Sequence, residues 1–284
     1  MKITLFTSNS PRHLSLAEGL AAIADEVFVV HECVTAFPGQ VEDFFRRSEV
    51  MQRYFGRVME AEQTVFGQAR FLPGNVRQLP LRMGDLPLMP MERLGVALES
   101  DVFVVFGASY IRGPLIDHLV SRDALNIHMG LSPWYRGSSC NFWALNDGRP
   151  DLVGATIHRL SRGLDSGDML YHARPPIEAV DPFVFGMKAV KAAHDSLIER
   201  IASGEIATMT PVAQDRGQEL RYTRNRDFDD AVAEAYLAAA PTPEALKRTL
   251  ETAPSMPFLR LHQPAPSVWR LAPSASPKAA FQRS

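Results

Sequence analysis

The run Val102-Phe103-Val104-Val105-Phe106 carries no charge and is bounded by Asp101 and Gly107. Five successive apolar residues leave no face for water, so the segment reads as a strand buried on both sides, as in the middle of a parallel sheet. Parallel strands need crossovers, and the flanking sequence supplies them. Residues 2–7 read as a buried strand, 14–23 as a helix and 26–30 as a second strand, while 114–120 reads as a short helix and 124–128 as the next strand. This alternation predicts an α/β fold, a Rossmann-like, mostly parallel sheet flanked by helices. Ligands in such sheets bind beyond the carboxyl ends of the strands.

Between the second strand and the central one, Val41, Phe44, Phe45, Met51, Phe55, Val58, Met59, Val65 and Phe66 recur at helical spacing. They predict a long amphipathic helix over 40–66, starting after Pro38-Gly39. Its apolar face packs on the sheet, makes a homodimer contact or walls a pocket. Residues 169–172 should pair as a hairpin with 154–160, and 182–203 should form a helix. Two short helices follow near 227–240 and 243–252. Residues 262–284 are rich in Pro, Ser and Ala, which predicts a disordered tail. The chain therefore divides into a main domain over 1–205, a small C-terminal extension over 206–261 and that tail.

Asn126 and His128 lie two apart at the end of a predicted strand, so their side chains leave one face. Downstream, Gly163-Leu164-Asp165-Ser166-Gly167-Asp168 places carboxylates in a loop. An amide, an imidazole and a carboxylate together suit attack of an amine on a carbonyl carbon. The amide would steady the oxyanion, the imidazole would handle a proton, and the carboxylate would orient and charge the imidazole. A strand-end Asn and His can equally satisfy turn backbone. The first βα turn, Ser8 to His13, offers Asn9 and Arg12 at a helix N-terminus, a place for an anion or for ordinary capping. It has no glycine fingerprint for ATP or NAD.

The run from Asn126 to Gly137 (Asn-Ile-His-Met-Gly-Leu-Ser-Pro-Trp-Tyr-Arg-Gly) resembles the signature of the folate-dependent formyltransferases, with Gly130-Leu131-Ser132-Pro133 departing at one loop position. Trp143, Gly154-Ala155-Thr156-Ile157-His158 and the 163–168 loop extend the likeness across roughly residues 1–205. The resemblance implies a catalytic trio of Asn126, His128 and Asp165, and 10-formyltetrahydrofolate as donor. It also implies a pteridine slot with Tyr110 and Ile111 on one wall and Leu160, Gly163 and Leu164 on the other. Asn9, Arg12 and Tyr135 are the candidate acceptor contacts. Gln214 is similar to a residue that crosses near the active site in relatives. Cys140 reads as packing, because direct transfer needs no nucleophile.

Composition bounds the acceptor. Lys and Arg total 30 against 32 Asp and Glu, a net charge of −2. That balance disfavours a general nucleic-acid binder. Together with the short C-terminal region, it points to a small amine, a nucleotide-linked amino sugar, rather than to tRNA. Arg221, Arg224 and Arg226 read singly as solvated charge first, and as contacts for a diphosphate or RNA second. A methionyl-tRNA formyltransferase, a formyltetrahydrofolate hydrolase and a non-catalytic folate- or nucleotide-binding module are the alternatives. Two cysteines, no secretory leader and no apolar run long enough for a membrane span predict a cytoplasmic protein, and no metal-ligand cluster is evident.

Overall fold

Strand β1 (Lys2–Ser8) leads through helix α1 (Pro11–Ala21) to β2 (Glu26–Cys33). The computed structural model describes residues 1–35 and 48–266. Helix α2 (Glu49–Phe66) precedes an outer strand, β3 (Val76–Arg82). The central run forms β4 (Val102–Val105), followed by α3 (Pro114–Ser121) and β5 (Leu125–His128). A short strand β6 (Tyr135–Gly137) and helix α4 (Cys140–Asn146) lead into the hairpin β7 (Ala155–Arg159) and β8 (Met169–Ala173). Helix α5 (Pro182–Ala202), strand β9 (Arg221–Thr223) and helices α6 (Asp230–Ala239) and α7 (Pro243–Thr252) complete the described chain.

Seven strands form one sheet in the order β3-β2-β1-β4-β5-β7-β8. The first five are parallel; β7 runs antiparallel to both its neighbours, β5 and β8. Alternate side chains of the central strands feed two cores. Ile3, Leu5, Val27, Val29 and Val104 face α1 and α5, whereas Phe6, Val30, Phe103 and Val105 face α3. A third, aromatic core joins Tyr54 of α2 to Phe142, Trp143, Phe183 and Tyr236.

The helix expected over 40–66 begins at Glu49 among the described residues, with Ser48 as its cap. The Ser48 hydroxyl accepts the Met51 N–H at 3.1 Å, a contact whose loss costs about 1 kcal/mol. Val41, Phe44 and Phe45 lie outside the described residues. The first helix starts at Pro11 rather than Leu14, since proline at the first helical position loses no needed N–H. Strand β3 escaped the periodicity reading. Pro80 and two arginines sit in it, which an edge strand tolerates and a central one does not. The boundary at 262 also shifts. His262 lies beside β8, donating its N–H to His172 O and accepting from Arg174 N, and residues 267–284 lie outside the described residues. Residues 206–261 do not stand apart, because β9 pairs with β6 and Tyr236 packs on Phe142 at 5.0 Å.

Two buried histidines make stability depend on pH. His194 of α5 packs edge-on against Phe106 at 4.8 Å, and neither ring nitrogen has a partner among the described residues. Burial pushes it down to about 3, and burial likewise pushes His172 down to about 4, against an ordinary value of 6.5. Both fold neutral. The unfolded chain binds more protons below pH 6.5, so stability is whole above that value and falls as pH drops toward the folded values. The melting temperature should therefore fall steadily from pH 7 to pH 5. His194→Leu should flatten that slope while matching or exceeding wild-type stability at pH 5. An unchanged slope in the variant would refute this source.

Candidate active site

The carboxyl end of β5 presents Asn126 and His128 on one face, as their spacing requires. The antiparallel partner β7 sets His158 opposite Asn126 and Thr156 opposite His128. The β7–β8 connection then folds back over β5. It returns so closely that a Cβ on Gly167 would stand 1.7 Å from the Arg159 carbonyl oxygen. Asp165 adopts a left-handed backbone at φ 45°, and the Gln214 amide donates to the Asp165 and Gly167 carbonyls at 3.0 and 2.8 Å. Together these contacts hang the Asp165 carboxylate over the strand end.

The trio meets there. His128 Nδ1 lies 3.3 Å from Asp165 Oδ2, and Asn126 Nδ2 donates to Asp165 Oδ1 at 3.2 Å. His158 joins as a fourth member. Its Nδ1 faces the Arg159 carbonyl at 2.8 Å and so carries the proton. Its Nε2 lone pair then accepts the second Asn126 N–H at 2.9 Å. Both hydrogens of the Asn126 amide are thus engaged. Reversing the amide would set its oxygen against the Asp165 carboxylate, so the network fixes its orientation. The sequence reading makes Asn126 an oxyanion donor, but this geometry leaves the amide oxygen, an acceptor, as its unengaged atom.

Burial disfavours charge on both ionisable partners, yet their mutual attraction prevails. Despite burial, the Asp165 carboxylate and Cys140 sulfur raise His128 well above the ordinary imidazole range. Burial also works against the Asp165 charge, but the His128 imidazolium holds that carboxyl far below the usual carboxylate range. The site is an imidazolium–carboxylate pair at neutral pH. The other ring nitrogen, His128 Nε2, faces Cys140 Sγ at 3.6 Å. Sulfur is a weak acceptor, so an oxyanion displaces it readily from that N–H.

A cavity of about 280 Å³ opens beside the pair. Tyr110 and Ile111 line one side; Leu160, Gly163, Leu164 and Asp165 line the other. The Tyr110 hydroxyl donates to the Arg162 carbonyl at 2.7 Å and ties the two sides together. Behind the first wall stands Glu32, fully buried at the end of β2. Its carboxylate accepts the N–H groups of Gly84, Leu86 and Ser109 at 2.9, 3.2 and 2.5 Å. The wall is thus fixed before any ligand arrives, and its apolar sides with main-chain edges suit a flat heterocycle.

The remaining candidates fall elsewhere. Asn9 donates to and accepts from the Val34 backbone at 2.9 Å each, closing a loop. Arg12 pairs with the buried Glu62 at 2.8 Å. The Tyr135 hydroxyl donates to Asp147 at 3.0 Å, and Arg221 grips the same carboxylate while stacking on Trp143. None of these four lines the cavity beside the pair. Glu32 and His158 had no role in the sequence reading. An acid just beyond the apolar run 27–30 of β2 is the one local hint of Glu32, and His158 acquires its part only through strand register.

Geometry thus defines a class: a doubly flanked α/β protein with a buried imidazolium–carboxylate pair beside a ligand slot. Residues 89–201 match the family model described as formyl transferase. A methionyl-tRNA formyltransferase of Synechococcus sp. is 30% identical over 144 residues, 50% of this chain and 42% of that protein. One of Acidobacterium capsulatum is 31% identical over 179 residues, 57% of this chain and 56% of that protein. The chain thus spans about half the length of these curated relatives. A solved 4-N formyltransferase from Francisella tularensis shares the fold, with a TM-score of 0.50, 16% identity, and coverage of 82% of this chain and 85% of that one.

Proposed function

We propose that this protein is an N-formyltransferase, moving a formyl group from 10-formyltetrahydrofolate to a primary amine. The observation that carries this reading is the His128–Asp165 pair at 3.3 Å, opening on a slot whose walls fit a pteridine. The donor supplies the formyl carbon. The acceptor nitrogen attacks that carbon, a new C–N bond forms, and the bond to the folate nitrogen breaks. His128 Nε2–H turns from Cys140 to the developing oxyanion. Asp165 keeps the imidazole charged. The Asn126 oxygen accepts a hydrogen of the attacking amine, and the amine's proton finally passes to the folate nitrogen.

Among acceptors, we read a nucleotide-linked amino sugar ahead of tRNA, on the near-balance of 30 basic and 32 acidic residues. Methionyl-tRNA is the second reading, favoured by the names of the sequence relatives. A cytoplasmic setting suits two free cysteines. No helix among the described residues is long and apolar enough to cross a membrane.

The test is a panel of amines offered with 10-formyltetrahydrofolate and read by mass spectrometry, with buffer alone reporting hydrolysis. A saturating folate analogue should also raise the melting temperature by mass action. Ile111→Asp should abolish most of that rise, because it sets a carboxylate against the heterocycle. Absence of any thermal shift in the wild-type protein would remove the folate assignment.

A further inference from the structure

A second cavity, of about 330 Å³, meets the slot at His128 and Met129. Its walls come from three separate parts of the chain: Tyr54, Phe55 and Val58 of α2, Phe142 of α4, and Phe228 just before α6. The rings stand edge to face. Phe142 and Phe228 are 4.8 Å apart at 86°, and Tyr54 lies 5.7 Å from Phe142 at 83°. Ring edges and faces packed this way hold one another in place, so the wall is preformed. Burial pushes the Tyr54 phenol well above its ordinary range, which keeps it uncharged. Apart from His128 itself, no ionisable acid or base lines the cavity among the described residues. Of its polar members, Asn141 already gives its carbonyl to the Gly154 N–H at 2.9 Å, and Ser139 is exposed.

We propose that this cavity is the acceptor subsite, and that Tyr54, Phe142 and Phe228 select a primary amine borne on an uncharged ring with an apolar face. This rests on the formyl-transfer reading above and narrows it. A ring lying on the Phe142–Phe228 wall brings its amine to His128, where the donor slot delivers the formyl carbon. The volume equals roughly eleven waters at about 30 Å³ each, enough for one ring and its substituents but not for a nucleotide as well. Any diphosphate of the same molecule therefore stays outside. An anionic group on the ring itself is rejected, because it would lose its hydration against apolar walls whose one cation, His128, is already paired with Asp165. Helix α2 thereby acquires a role: its inward aromatic turn is the specificity wall.

The 284-residue chain is tested with two UDP-linked sugars, one an amino-dideoxyhexose and the other an amino-uronic acid. Steady-state constants are measured for each acceptor and for 10-formyltetrahydrofolate. Calorimetry without donor measures acceptor binding separately. The uncharged sugar should be preferred by about a hundredfold or more in kcat/KM. Phe228→Ala and Val58→Glu should each raise its KM about tenfold or more while leaving the donor KM within about twofold. A merely structural role for these residues would move both constants, or only stability. Equal use of the two sugars, or unchanged acceptor KM in both variants, overturns the proposal. Binding that Val58→Glu abolishes, with no amine formylated, supports the subsite and sinks formyl transfer instead. Absence of both binding and turnover for the uncharged sugar also overturns the proposal.

Discussion

His128→Ala should leave a folded protein whose kcat falls by about 10²–10⁴-fold, the scale of a lost acid–base group. Asn126→Ala, which removes the acceptor for the amine hydrogen, should lose on the order of 10²-fold or more. The two losses should not multiply in the double variant, because the Asn126 amide and His128 meet on the same carboxylate. The measurement is single-turnover formyl transfer at saturating donor, with circular dichroism as the folding control. Near-normal turnover in His128→Ala would dismantle the mechanism. A His128 variant that melts below assay temperature is replaced by His128→Gln, which keeps the ring's volume more nearly filled.

The second large effect lies in the backbone. Gly167→Ala places a methyl group 1.7 Å from the Arg159 carbonyl oxygen, inside any allowed contact. Main chain on both sides must move, so a destabilisation of about 3 kcal/mol or more is expected. Asp165 sits two residues earlier on the same turn, already at positive φ. Its carboxylate should shift away from His128, lowering kcat in protein that is still folded. Urea denaturation and single-turnover rates measured on one preparation separate the two losses. An unchanged denaturation midpoint would show that the loop reorganises freely, contrary to the contacts described.

The legible parts of this fold are those where one physical signal dominates. Residues 102–106 announced a central strand because no polar side chain interrupts them, and the sheet grew outward from there. The site was legible through spacing: a two-residue step puts Asn126 and His128 on one face whatever surrounds them. Elsewhere signals competed. In β3 the edge position removes the apolar demand, so Arg77, Gln78 and Pro80 hide a strand that pairs along its whole length with β2. Asn9 and Arg12 have the right chemistry for an anion site. Their partners, the Val34 backbone and Glu62, come from distant segments and leave no local trace. The Asn126 amide shows the same limit at finer grain. Residue type gives it a donor and an acceptor, and only His158, brought opposite by strand register, decides which end is left unengaged.

Glu32 ties the turn after β3 to the wall of the slot through one side chain. One carboxylate out of reach of water holds the turn after β3, the segment entering the next helical turn and the main chain at Ser109. Three hydrogen bonds to a single buried charge make a stiff coupling, since losing any one strands that charge. The rim of the sheet and the wall of the slot therefore move as one body. Whatever grips the molecule from outside at Gly84 pulls on the cavity beside His128, so the outer border of this sheet is a handle on its interior.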